Sequence, residues 1–166
     1  MRHITVGILI AIVSVGLLGC QEKKRDIVKD MYPEEQKKLE SIVNDIYVTA
    51  KKKDLARLDA FHLDTPKFSK FEQMGVFERR NLQETTKSEN DIFSALSKYD
   101  YEVQDFRADV FGDVAVTTFH FKYDVKLGDT PISGRLRGTL VFVKVGNDWK
   151  IVHEHFSDIP PIPPKP

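Results

Sequence analysis

Hydrophobic and polar residues follow three different rhythms along this chain. Residues 4–18 are apolar except for Thr5 and Ser14. Such an unbroken run behind the basic head Arg2–His3 reads as the core of a secretory signal, and it is short for a helix that spans a bilayer. From Pro33 the period becomes helical. Leu39, Ile42, Val43, Ile46, Tyr47 and Ala50 fall on one stripe, with Pro33, Glu34 and Glu35 at its start and Lys51, Lys52 and Lys53 at its end. Proline and acids suit the first turn of a helix and cations the last, so a long amphipathic helix is expected here. Asp54 reads as the cap of a short second helix that turns Leu55, Leu58 and Phe61 inward. Residues 63–86 show no period, yet Phe68, Phe71, Met74 and Phe77 are large and apolar, as in a segment folded onto a core or lining a cavity. Ser88 with Asp91 resembles a capping box, and Ile92, Phe93, Leu96 and Tyr99 mark a third helix.

From residue 101 the period is two. Strands are expected over 101–111, 114–127, 132–145 and 149–157, joined by turns at Gly112–Asp113, at Gly128–Pro131 and at Gly146–Asp148. Helices followed by long hairpin-connected strands give an α+β fold, with three N-terminal helices packed on a strongly curved antiparallel sheet. The closing stretch, PPIPPKP, is an extended proline-rich tail.

Composition changes this picture little. The 166 residues suffice for one domain, and 25 basic against 25 acidic residues remove the electrostatic case for nucleic-acid binding. Cys20 is the only cysteine, so no internal disulfide can form. Its context is more informative. LLGC at residues 17–20 resembles the lipobox of bacterial lipoproteins. The resemblance implies cleavage before Cys20, acylation of that residue, and anchorage to the membrane of a bacterial cell envelope. Gln21 in place of an aspartate implies the outer membrane, facing the periplasm, where the organism has one. The expected organisation is a signal peptide over 1–19, a lipidated cysteine and tether over 20–32, a domain over 33–158 and a tail over 159–166.

The domain itself resembles a known superfamily. KKKDLARLDAFH after the long helix is similar to the opening of NTF2-like domains. RGTLVFVKVGNDWKIVHEHFS, residues 137–157, resembles the SnoaL-like branch, which includes the calmodulin-dependent kinase association (hub) domain. This implies a cone, a curved sheet wrapped round the first helix over an open cavity. The superfamily holds cyclases, isomerases and dehydratases beside proteins that only bind ligands or dimerise, so fold does not decide activity. In the hub branch, cavity arginines bind a carboxylate. The matching positions here are Lys122, Leu140 and Phe156, which implies a more apolar ligand.

Several residues could carry chemistry. His153 and His155 are expected on one strand face with Trp149 and Ile151. They would need His120 as a third ligand to bind metal, and no metal or other cofactor is expected. A place in the sheet or at a pocket rim or dimer surface is the alternative. For acid–base work the candidates are Asp64, His62, His120, Glu154 and His155, of which His120, His155 and Asp64 lead. The ligand-binding set is Lys122, His120, Leu140, Phe156 and Tyr123. The expected function is binding of a small apolar ligand or a protein partner, including a second copy, without catalysis. The alternative is an acid–base enzyme working on an apolar molecule in the cone.

Overall fold

The computed structural model describes residues 26–73 and 78–160. Residues 1–25, with the signal sequence and Cys20, lie outside the described residues, as do Met74, Phe77 and the tail from residue 161. Among the described residues no helix is long and apolar enough to cross a membrane.

Helix α1, Pro33–Lys51, starts on its proline with Glu34 and Glu35 in the first turn. Leu39, Val43, Tyr47 and Ala50 are its buried stripe. The lysines at its end are engaged: Lys51 pairs with Asp100 at 2.8 Å and Lys53 donates to the Ser94 carbonyl at 3.0 Å. Helix α2, Leu55–Asp59, is capped by Asp54, whose side chain accepts from the Arg57 N–H. The third helix differs from expectation. α3 runs Leu82–Ala95 and is closed by a reciprocal capping box between Asn81 and Glu84, upstream of Ser88–Asp91. Tyr99 belongs to the following strand, because the chain turns extended at Leu96 directly after α3.

Strands β2 (Leu96–Phe111), β3 (Val114–Leu127), β4 (Thr130–Val145) and β5 (Asp148–Asp158) form the expected meander. A short strand, β1 (Ser69–Phe71), lies in the aperiodic stretch and pairs parallel with β5. The sheet order is β1-β5-β4-β3-β2. The sheet is therefore mixed, not purely antiparallel. A three-residue strand inside a loop leaves no period to read.

The concave face wraps α1. Ala115, Phe119, Phe121, Leu140, Phe142, Trp149 and Ile151 share the core with Leu39, Val43 and Tyr47. Glycine makes one part of this packing possible. Gly138 pairs with Phe119 across β3 and β4, and a Cβ there would come within 2.6 Å of that ring. The aromatic ring lies over the bare backbone of its neighbour. Gly138→Ala is expected to cost about 1–3 kcal/mol through overpacking, because Phe119 is itself buried, and chemical denaturation would measure it.

Candidate functional site in the cone

One bulge decides which residues of β5 face inward. Val141 pairs with His153 and Phe142 with Ile151, so Val152 is an extra residue on β5. Before it, Trp149 and Ile151 point into the core. After it, the inward positions are Glu154 and Phe156, and His153 and His155 turn to the outer face. A bulge redirects side chains in this way. The single face expected for Trp149, Ile151, His153 and His155 is thereby corrected. His153 instead meets Ser69 Oγ at 2.8 Å through Nδ1, and the Phe71 ring lies 6.0 Å from both imidazoles.

The inward Glu154 gathers a buried cluster. Residues 61–63 run beside β5, with Leu63 N–H donating to the Ile151 carbonyl and Ile151 N–H to the Phe61 carbonyl. This sets His62 next to the bulge. β1 continues along the same edge, and its parallel register places Lys70 opposite Glu154. Glu89 reaches in from α3, where it follows Leu82 and buried Thr85 on the inward stripe. His62 Nε2 lies 3.1 Å from Glu154 Oε1 and 3.9 Å from Glu89 Oε2. Lys70 Nζ lies 2.8 Å from Glu154 Oε2 and also bonds to Glu89 Oε1. The side chains of His62 and Glu154 are only 2% and 6% exposed. Behind them Arg80 pairs with Glu72 at 2.9 Å.

The four groups set one another's charge. Burial alone would raise the Glu154 carboxyl, but the Lys70 ammonium and the hydrogen bond from His62 outweigh it and hold it at about 2. Burial opposes the Lys70 charge, and Glu154 and Glu89 more than restore it, so the ammonium is firmly protonated. His62 is pulled down by burial and lifted further by Glu154 and Glu89, for a net rise. Glu89 is raised, chiefly by burial, against the pull of Lys70. Because Glu154 is ionised, His62 Nε2 is the donor in their hydrogen bond. Nδ1 is then the nitrogen free to take a proton, and it is buried with no hydrogen-bond partner among the described residues. Glu89 Oε2 likewise has no hydrogen-bond partner among the described residues. Two neighbouring groups, His62 and Glu89, are thus both shifted toward holding a proton, the kind of perturbation that acid–base sites use.

The cluster forms one end of a cavity of about 210 Å³ between α1, α3 and the concave sheet. Tyr47, Tyr99, Phe121, Tyr123, Leu140 and Phe156 are among its walls. Tyr47 stacks on Phe121 with ring centroids 4.4 Å apart. Burial pushes the hydroxyls of Tyr47 and Tyr99 upward, aided by Tyr99 and Tyr101 respectively, so both remain protonated donors. Ile92 and Leu127 line the cavity and are also exposed, which marks its mouth near the β3–β4 turn.

His62, Glu89 and Glu154 each bring one possible metal-ligand atom within 4.8 Å of the others. Lys70 already sits between the two carboxylates, so the arrangement is built around an ammonium ion.

The residues named from sequence divide clearly. Leu140, Phe156 and Tyr123 line the cavity. His120 and Lys122 do not, because they alternate with inward Phe119 and Phe121 and so face outward. His120 lies 3.8 Å from exposed Asp105, Lys122 is exposed, and β4 separates His120 from the histidines of β5. Asp64 and His155 are exposed. Arg135 and Arg137 are exposed on the outer face. His62 and Glu154, two of the weighed acid–base candidates, are the pair that comes together. Lys70 and Glu89 were not anticipated.

Comparison with known proteins agrees with this architecture. The SnoaL-like domain family matches residues 39–163. The chain belongs to that family. A proposed dehydratase of the NTF2-like family from Streptomyces avermitilis shares the fold at a TM-score of 0.70 and 16% identity, covering 78% of this chain and 99% of that one. A proposed calcium/calmodulin-dependent protein kinase II association domain from Xanthomonas campestris aligns at 0.65 and 13% identity, over 80% of this SnoaL-like chain and 91% of the other. The CaMKII hub homology domain from Chlamydamonas reinhardtii aligns at 0.63 and 14%, over 76% and 98%. At such identities the likeness is one of fold. No curated protein matches the chain.

Proposed function

We propose that this SnoaL-like domain holds one small, mostly apolar molecule in its cone, with a polar group of that molecule set against the buried cluster. In this reading Cys20 is acylated and ties the domain to the membrane of a bacterial envelope. The observation that carries the binding reading is the cavity itself: aromatic and aliphatic walls that end on His62, Lys70, Glu89 and Glu154. Apolar walls with a few convergent polar groups are the usual composition of a small-molecule site. At about 210 Å³ the space suits a compact ligand.

Acid–base catalysis is the second reading, and a specific arrangement favours it. His62 is fixed by Glu154 through Nε2, with Glu89 beside it, and both raised groups border the cavity. A carbonyl or hydroxyl compound would meet a proton donor and an acceptor there.

Native mass spectrometry of gently purified residues 21–166, followed by denaturing extraction, tests the binding reading. A single small molecule released in stoichiometric amount is expected. A protein that is empty and present only as a dimer or larger ring would assign the sheet to assembly instead.

A further inference from the structure

Exposed apolar residues collect at one end of the cone. Val28 and Met31 are 78% and 76% exposed, and Ile27, Phe111, Val114 and Val145 are each between 42% and 51% exposed. These six come from three separate stretches, and the fold brings the stretches together. Ile27 lies beside the β2–β3 turn, where a Cβ on Gly112 would stand 3.5 Å from its side chain. The same turn touches the end of β4, since Lys144 N–H donates to the Asp113 carbonyl at 2.8 Å. Lys38 of α1 donates to the Asn147 carbonyl in the β4–β5 turn. The start of α1 and both turns therefore form one surface.

This is also the end at which the chain leads back to Cys20. Asp26 lies six positions after Cys20. An extended chain of that length reaches roughly 20 Å. An acylated Cys20 would hold this end of the molecule near the bilayer and bring no other end as close. The cavity mouth, at Ile92 and Leu127 by the β3–β4 turn, is at the far end of β3. The 14 residues of that strand separate the two ends by roughly 40 Å along its course.

We infer that the surface formed by Ile27, Val28, Met31, Phe111, Val114 and Val145 seats directly in the lipid headgroup layer and holds the cone upright, its mouth away from the membrane. The occupant is a lipid surface. This inference rests on the reading of Cys20 as a lipid site. Charges of both signs occur in the same stretches of chain, with Lys29, Lys37 and Lys38 against Asp26, Asp30, Asp113 and Asp148. The contact is therefore apolar in character and does not depend on anionic lipid. An upright cone would draw its ligand from the aqueous side.

The test uses the full chain, processed in a bacterial host and reconstituted in phosphatidylcholine vesicles with and without phosphatidylglycerol. Mass analysis of the Cys20 peptide comes first. With Cys20 acylated, Val28→Cys, Val145→Cys and Asp129→Cys each offer one reactive thiol for an environment-sensitive fluorophore. Labels at 28 and 145 should shift to the blue, resist iodide and be quenched by spin-labelled lipid, equally in both vesicles. The label at 129, in the β3–β4 turn, should behave in the opposite way. If the label at 145 is as open to iodide as that at 129 while Cys20 is acylated, the seating surface is wrong and the anchor stands. Protection from both quenchers would mean that protein covers the surface, and would overturn the inference in favour of a second copy. Blue shifts seen only with phosphatidylglycerol would overturn its apolar character. An unacylated Cys20 would remove the anchor and this inference together.

Discussion

Replacing Lys70 with alanine is expected to destabilise the fold by about 3–5 kcal/mol, the usual cost of removing one partner from a buried ion pair. The residue is 6% exposed and holds Glu89 and Glu154 apart. Without it two carboxylates face each other in an apolar enclosure. Their desolvation dominates the effect, so Lys70→Ala with Glu154→Leu should recover much of the loss. Urea denaturation of the single and double variants would separate these contributions. A loss within about 1 kcal/mol for the single variant would place the pair in the range of a solvated surface bridge.

Stability should also depend on pH through the same cluster, with opposite signs on the two sides. Glu154 is depressed from 4.5 to about 2, so its contribution is complete above 4.5 and disappears as pH falls toward 2. His62 is raised from 6.5, so its contribution is complete below 6.5 and is lost as pH rises through the raised value. Glu89 is raised from 4.5 as well, and its sign follows His62. The expected Tm profile is highest in the weakly acidic range and falls on both sides. Removing His62 with Glu89 should flatten the alkaline side and weaken the acidic side without abolishing it, because Lys70 still holds the Glu154 carboxyl low after the His62 hydrogen bond is lost.

Trp149→Ala should have an effect of similar size, about 3–5 kcal/mol, for a different reason. The indole is 2% exposed in the main core, and its N–H donates to Glu35 Oε2 at 2.6 Å. Glu35 also accepts from Lys144, and that hydrogen bond, followed by the one from Trp149, keeps its pKa lowered. The start of α1 is thereby fastened to β4 and β5. Trp149→Phe keeps most of the packing and removes the bond to a charged acceptor, worth about 1.5–3 kcal/mol, with the lower end apt for the part-exposed Glu35. Comparing the two variants by denaturation separates packing from fastening.

The sequence made some of this legible and concealed the rest, for reasons that can be named. The stripe on α1 and the turns between long strands are periodic signals, and the elements formed where they point. The bulge at Val152 is not periodic. One inserted residue reverses the face of everything after it, so strict alternation put His153 and His155 on the face of Trp149 and Ile151, and Glu154 on the other. β1 was hidden because three residues are too few to show a period, and with it went Lys70. Glu89 was within reach. Asn81 and Glu84 form a capping box as recognisable as the Ser88–Asp91 pattern, and a helix started there puts Glu89 on the inward stripe with Leu82 and Thr85. Lys122 entered the ligand set through a local match, yet it and His120 lie on the strand face opposite to inward Phe119 and Phe121. Tyr123, Leu140 and Phe156, of the same ligand set, line the cavity because their strand parity turns them inward.

Electron density in the cone is the most direct test of a molecule held against the cluster. A high-resolution crystal structure of the gently purified protein should show one bound molecule between Tyr47, Tyr99 and Leu140. A polar atom of it should lie within hydrogen-bond distance of Lys70 Nζ, Glu89 Oε2 or His62 Nδ1. A cavity holding only ordered water, in protein that releases nothing on extraction, would contradict the account.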